Sequence, residues 1–174
     1  MSRYLVLFFV LCSCNLGTNP KNDADKITGK VVKIFDGDTF EILMSDNTTL
    51  KVRMSGIDAP EKGMPFYKVA KNYLGTLCFQ NEVMIVTKGK DRYNRTIAQS
   101  YLPDGRELGE EMVAAGYAWH FVKYSNDKKL DSIENVARIE KRGLWAESNP
   151  MAPWENRKLH RQGVSTKDSF DLKN

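Results

Sequence analysis

The sequence is poor in cysteine, with three among 174 residues. Cys12 and Cys14 lie near the start of the chain, and the third is Cys78. If Cys12 is removed with the first residues and Cys14 serves as an anchor, only Cys78 remains, and one cysteine cannot form an internal disulfide. Cys78 lies on an apolar stripe with helical spacing, which is typical of a buried, inert thiol rather than a nucleophile.

No apolar run is long enough to span a bilayer as a mature helix. The run from Tyr4 to Leu11 follows a short positive start and predicts a signal peptide over residues 1–13. The next residues, Leu11-Cys12-Ser13-Cys14, resemble a bacterial lipobox, in which Cys14 carries the lipid that tethers an exported protein to the membrane. Plain secretion, with cleavage somewhere before Lys21, is the alternative.

Histidine is also scarce, with two in the chain, His120 and His160. This number is too small for a site built on a histidine cluster. Aromatic neighbours make His120 a packed residue rather than a ligand. The formal net charge of +4 is mild, and it permits a polyanionic partner without requiring one.

The pattern of elements predicts one domain with extensions at both ends. Residues 14–25 are polar with Gly and Pro and predict a flexible tether, residues 26–147 form the domain, and residues 148–174 form a polar tail. Five strand-like segments, with a helix after the third and further helices later, predict an α+β fold. The expected architecture is an OB-type five-stranded β-barrel with about three helices, as a monomer.

Two acidic clusters organise the middle of the chain: Asp36–Thr39 and Asp58–Glu61. Apolar and polar residues alternate in two runs between them, separated by turn residues, which predicts a β-hairpin. A hairpin returns the chain to its starting point, so we expect Asp38, Asp58 and Arg53 to lie close together. Crowded carboxylates repel one another unless a cation lies among them, so the pattern predicts a hard metal ion with oxygen ligands.

Each cluster alone also has an ordinary structural interpretation. Asp36–Thr39 could be a simple turn, and Asp58–Glu61 could be the start of a helix. The later stretch from Lys88 to Arg95 could be a solvated hairpin tip. It nevertheless contains four cations suited to phosphate oxygens, which makes Lys88 and Arg92 candidates for substrate binding.

Together these features resemble the thermonuclease (staphylococcal nuclease) family. The resemblance extends from about Ile27 to Trp145, and Pro153–Glu155 resembles a tail seen in bacterial members. It implies an OB-type fold and a calcium-dependent phosphodiesterase that acts on DNA and RNA. The features that carry it are the Asp36–Thr39 turn, Arg53, the Asp58–Glu61 cluster and the Asp91–Arg95 loop.

The resemblance assigns a role to each matching position. Asp38 and Asp58 match the calcium-binding carboxylates, and Ala59 falls where the family offers a backbone carbonyl to the ion. Glu61 matches the general base of the family. Tyr124 matches a tyrosine that packs beside the nucleotide. The two phosphate-binding arginines of the family match Arg53 and Arg95.

The leading hypothesis is therefore a secreted or membrane-tethered calcium-dependent nuclease. A nucleic-acid-binding barrel without chemistry is the rival, although the matching catalytic positions are all filled. An envelope lipoprotein with an interaction role is a third possibility, and it rests on the N-terminal segment alone. The sequence does not distinguish DNA from RNA preference, or internal from terminal attack.

Overall fold

The computed structural model describes residues 26–164. The predicted signal peptide, Cys14, the predicted tether and residues 165–174 lie outside the described residues. Within residues 26–164 the strands are β1 (Lys26–Ile34), β2 (Thr39–Leu43), β3 (Thr49–Met54), β4 (Ile57–Asp58), β5 (Glu82–Lys90), β6 (Thr96–Tyr101) and β7 (Trp119–His120).

Five strands close into a barrel in the order β1-β2-β3-β6-β5, and β5 pairs with β1 to complete it. The β3–β6 pair is parallel, whereas the other neighbours in the barrel are antiparallel. The predicted five-stranded OB-type barrel is confirmed. Strand β5 extends to Lys90, past an irregular register between Thr87 and Gly89, so part of the predicted charged loop is strand.

The alternation of apolar and polar residues sets which side chains fill the barrel. Phe40 and Ile42 of β2 and Val52 and Met54 of β3 are almost fully buried, while the residues between them face outward. Each such side chain stabilises the fold by about 1.5–3 kcal/mol relative to an exposed one. The core therefore fixes the register that places Arg53 opposite Thr39.

The described residues contain four α-helices, one more than the sequence predicted. They are α1 (Tyr67–Cys78), α2 (Leu108–Ala114), α3 (Lys128–Ile139) and α4 (Pro153–Arg161). A short 3-10 helix spans Gly143–Ala146. Helix α4 falls inside the predicted polar tail, and Pro153 opens it in the first turn, where a missing N–H costs nothing. None of these helices is long and apolar enough to span a membrane.

A small two-stranded sheet pairs β4 with β7, which the sequence did not predict. Asp58 lies opposite Trp119, and Ile57 lies opposite His120. The buried His120 ring is held between Asp131, 2.6 Å from Nδ1, and the Ser125 hydroxyl, 3.0 Å from Nε2. His120 is thus a packed residue that anchors β7, and β7 in turn fixes β4.

Candidate active site

The turn between β1 and β2 holds Asp38 against the end of the hairpin. The Met54 N–H donates to the Asp38 carbonyl at 2.9 Å. The Asp38 carboxylate accepts hydrogen bonds from the Thr39 hydroxyl at 2.9 Å and from the Ala59 N–H at 2.7 Å. Asp38 is buried. Its orientation therefore depends on residues from both acidic clusters.

Gly37 lets this turn approach its neighbours closely. A Cβ at this position would lie 2.8 Å from the Ala59 Cβ and 2.9 Å from the Ala70 Cβ on α1. Contacts that short force a displacement. Glycine is the residue that keeps Asp38 beside Ala59.

Arg53 joins the two predicted metal-binding carboxylates. Its Nη2 atom lies 3.1 Å from Asp38 Oδ2 and 3.0 Å from Asp58 Oδ1. Its Nη1 atom donates to the Met54 carbonyl at 2.7 Å, which fixes the guanidinium plane. The structure therefore brings together Asp38, Asp58 and Arg53, as the hairpin argument predicted.

Asp58 is held by a second arginine that the sequence analysis did not predict. Arg157 of α4 contacts Asp58 Oδ2 through Nη2 at 2.6 Å. Burial raises the pKa of Asp58, and the charge of Asp38 raises it further, although Arg157 and Arg53 lower it. The two guanidiniums therefore offset only part of the rise in the pKa of Asp58 that burial causes.

Glu61 is turned toward α4. Its Oε1 atom lies 2.6 Å from Arg157 Nη1, and its Oε2 atom accepts a 3.4 Å hydrogen bond from the Asn156 amide. The Glu61 side chain is 39% exposed, compared with 3% for Asp58. Glu61 can therefore meet solvent, as a general base must, while Asp58 is enclosed.

Arg95 lies in the turn between β5 and β6. Asp91 accepts hydrogen bonds from the Arg95 backbone N–H at 3.0 Å and from its Nε at 2.7 Å. Asn94 adopts a left-handed conformation with φ 60° and reverses the chain. The Arg95 guanidinium is thereby fixed by its own turn and lies 5.5 Å from the centroid of the Tyr93 ring, with the side chain 26% exposed.

These residues line one cleft of about 750 Å³. Five acidic and six basic side chains line it: Asp36, Asp38, Asp58, Glu61 and Asp91, with Arg53, Arg92, Arg95, Lys123, Arg157 and Arg161. Mixed charge of this kind suits a cation and a polyanion held together.

Aromatic side chains form part of the cleft wall. Tyr124 is 72% exposed and packs edge-to-face on Phe121, with ring centroids 4.9 Å apart. Trp154 of α4 stacks on the same Phe121 ring at 5.2 Å. Tyr124 and Arg92 therefore lie where a substrate could contact them. Lys88, predicted to bind substrate, is exposed on β5 and is not among the residues that line the cleft.

Sequence reasoning missed the acidic residue Asp36 and the cleft residues of α4. Burial raises the pKa of Asp36 to about 7, and the neighbouring charge of Asp38 adds to the increase. The signal for α4 was the Pro153-Trp154-Glu155 motif, which resembles a tail seen in bacterial members of the family but was not assigned to the site. The signal for Asp36 was its place in the first acidic cluster.

The donor set fits a hard divalent cation. Asp38 and Asp58 supply buried carboxylate oxygens joined through one guanidinium, and the Asp38–Ala59 hydrogen bond brings the Ala59 backbone alongside. Among residues 26–164, no three or more His, Cys, Asp or Glu side chains are grouped as metal ligands. The predicted set needs only two side chains, because its third member is a backbone carbonyl.

Fold and site together define an OB-type barrel with a cleft of carboxylates and arginines. Residues 51–147 match the family model described as staphylococcal nuclease homologue, and the chain belongs to this family. It is 39% identical over 153 residues to a Haemophilus influenzae protein named "Uncharacterized endonuclease", covering 88% of this chain and 81% of the relative.

Two further relatives carry nuclease names. The "Micrococcal nuclease" of Shigella flexneri is 35% identical, over 79% of this chain and 84% of that protein. The "Staphylococcal-like nuclease CAN1" of Arabidopsis thaliana is 40% identical, over 65% of this chain but 35% of the plant protein. The bacterial relatives thus match this chain over most of their length.

Proposed function

We propose that the protein is a calcium-dependent endonuclease that hydrolyses phosphodiester bonds in DNA and RNA. The observation that carries the proposal is the contact of Arg53 with two buried carboxylates on a cleft that Arg95 also lines. The nuclease names of the relatives support the same reaction class.

Each group of cleft residues has its own role in the proposed reaction. Asp38, Asp58 and the Ala59 carbonyl would hold the ion, which supplies positive charge to the phosphate oxygens when bound. Arg53 and Arg95 donate hydrogen bonds to phosphate oxygens as negative charge grows on them. Glu61 accepts a proton from the attacking water, the oxygen of which bonds to phosphorus as the bond to the leaving oxygen breaks.

Plasmid digestion tests the activity and the ion requirement together. Purified protein is incubated with supercoiled plasmid in calcium, in magnesium or in chelator. Because a circular plasmid has no ends, conversion to nicked and linear forms reports internal cleavage. We expect conversion in calcium and none in chelator, since the carboxylates would then lack the ion that offsets their charge.

Two variants act as controls for a contaminating nuclease. Asp38→Asn should be inactive in calcium. Asp46→Asn, which changes an exposed carboxylate in the β2–β3 turn, should keep full activity. Binding of plasmid without cleavage in calcium would favour the rival, a binding barrel without chemistry.

We also propose that the protein is exported and tethered through a lipid on Cys14. The support is the lipobox-like Leu11-Cys12-Ser13-Cys14 after a short apolar run. In a bacterial host fed a radiolabelled fatty acid, the wild-type chain should incorporate label and partition into detergent. Cys14→Ala should lose both properties, and Cys78→Ala should keep them. Label in Cys14→Ala would contradict the tether.

A further inference from the structure

Helix α4 brings a second arginine, Arg157, to the carboxylates. Arg157 meets Asp58 with both terminal nitrogens, Nη2 at 2.6 Å from Oδ2 and Nη1 at 3.4 Å from Oδ1. The same Nη1 atom lies 2.6 Å from Glu61 Oε1. One planar guanidinium therefore sets the separation and relative orientation of the two carboxylates.

The bridged carboxylates have different assignments in the proposed reaction. Asp58 is a proposed metal ligand, and Glu61 is the proposed base. Like charges this close repel, so without a shared donor the half-exposed Glu61 would swing toward solvent. Charge-assisted hydrogen bonds from Arg157 oppose that movement.

Contacts other than Arg157 hold α4 in place. Trp154 stacks on Phe121 with an interplanar angle of 2°, and it meets Trp119 edge-on at 6.5 Å. Pro153 and Asn156 are buried in the first turns of the helix. The helix can therefore stay docked when the Arg157 side chain is changed, which makes the role of the guanidinium separately testable.

We propose that Arg157 is a positioning residue that holds Glu61 and Asp58 in their working arrangement, so that α4 completes the active site. The inference rests on the proposed function. It extends the site beyond the hairpin and loop motifs to the chain segment after the barrel. Acting through other side chains, Arg157 should affect turnover more than substrate affinity.

The test compares Arg157→Gln, Arg157→Lys and Lys158→Gln in the full chain. Lys158→Gln removes the same charge from an exposed neighbour on α4 and should behave as wild type. Arg157→Gln should lower kcat about 10- to 100-fold at saturating calcium, with little change in KM, the range found for partners that orient metal ligands. Arg157→Lys should keep the charge but recover only part of kcat.

Calcium titration by calorimetry, without nucleic acid, gives a readout independent of activity. Arg53 still holds the buried Asp58 when Arg157→Gln removes the second positive charge in contact with it, so calcium should bind several-fold more tightly although turnover falls. A merely structural role predicts that both weaken. Circular dichroism and thermal unfolding test whether each variant is folded. If Arg157→Gln does not fold, kcat and calcium affinity are compared between Arg157→Lys and wild type instead.

A double-mutant cycle with Glu61→Gln shows through which residue Arg157 acts. Arg157→Gln should cost little further activity once Glu61 is replaced. Equal losses in both backgrounds, unchanged or raised kcat, or weaker calcium binding would overturn the proposal. Wild-type protein that fails to cleave in calcium would instead refute the proposed function, whereas active wild type with fully active Arg157→Gln refutes only this inference.

Discussion

Glu61→Gln should lower kcat by about 100- to 10,000-fold, the usual contribution of a positioned general base. The substitution keeps the size of the side chain and an oxygen that can accept from Arg157, 2.6 Å from Glu61 in the structure. It removes the ability to take a proton from water. KM for the nucleic acid should change little, because Glu61 is not assigned a phosphate contact. Initial rates on plasmid across substrate concentrations measure both constants.

Glu82→Gln is the matched control for this prediction. Glu82 is exposed at the start of β5, so the same change there should leave kcat unaltered. Full activity in Glu61→Gln would show that the base lies elsewhere. Asp36, which lines the same cleft and has a pKa raised to about 7 mainly by burial, would then be the next residue to replace.

Arg53→Met should reduce the free energy of unfolding by about 3 kcal/mol in metal-free buffer, since removing one partner of a buried ion pair leaves uncompensated charge. The Arg53 side chain is 14% exposed, and its partners Asp38 and Asp58 are 7% and 3% exposed. Methionine replaces the apolar stem but not the guanidinium. Urea unfolding followed by tryptophan fluorescence measures the change.

The control for Arg53 is an exposed arginine with carboxylate partners. Arg106 pairs with Asp104 and Glu111 at the surface, so Arg106→Met should leave the urea midpoint unchanged. Adding Asp38→Asn to Arg53→Met should recover part of the lost stability, because Asp38 is the carboxylate that loses its arginine, whereas Asp58 keeps Arg157. A midpoint for Arg53→Met equal to wild type would contradict the prediction.

The hairpin was predictable because its signal is local. Alternation of buried apolar residues with less buried neighbours marks β2 and β3, and a run of turn residues joins them. The register then places Arg53 opposite Thr39, next to Asp38. A hairpin therefore predicts that Asp38, Asp58 and Arg53 lie together, as they do in the structure.

The contact that fixes Asp58 in this position could not be predicted from the hairpin. Asp58 lies beyond the end of β3, in the two-residue strand β4. That strand is fixed by pairing with β7, more than 60 residues later, where Trp119 and His120 lie in an aromatic stretch without alternation. A strand of two residues is too short to show a periodic pattern, and tertiary packing determines which strand it pairs with.

The contribution of α4 was hidden for a different reason. The residues buried on this helix include a proline and an asparagine, so its docked face has no apolar stripe. Its contacts are ion pairs, an amide hydrogen bond and one stacked indole. Composition therefore predicted a polar tail where the structure has a helix that lines the cleft.

The ion pairs of Arg157 with Asp58 and Glu61 form at the same carboxylates that are proposed to act on the cation and the attacking water. If calcium binds Asp58 as proposed, the ion and the Arg157 guanidinium act on the same carboxylate charge, so each would weaken the binding of the other by the same factor. Under the proposed function, the ligand in the cleft would therefore act on the ion pairs of Arg157 rather than on the docking of α4 itself. The packing of Trp154 and Pro153 would keep α4 in place while calcium weakens the contacts of Arg157, so the helix would remain as a wall of the cleft in both states.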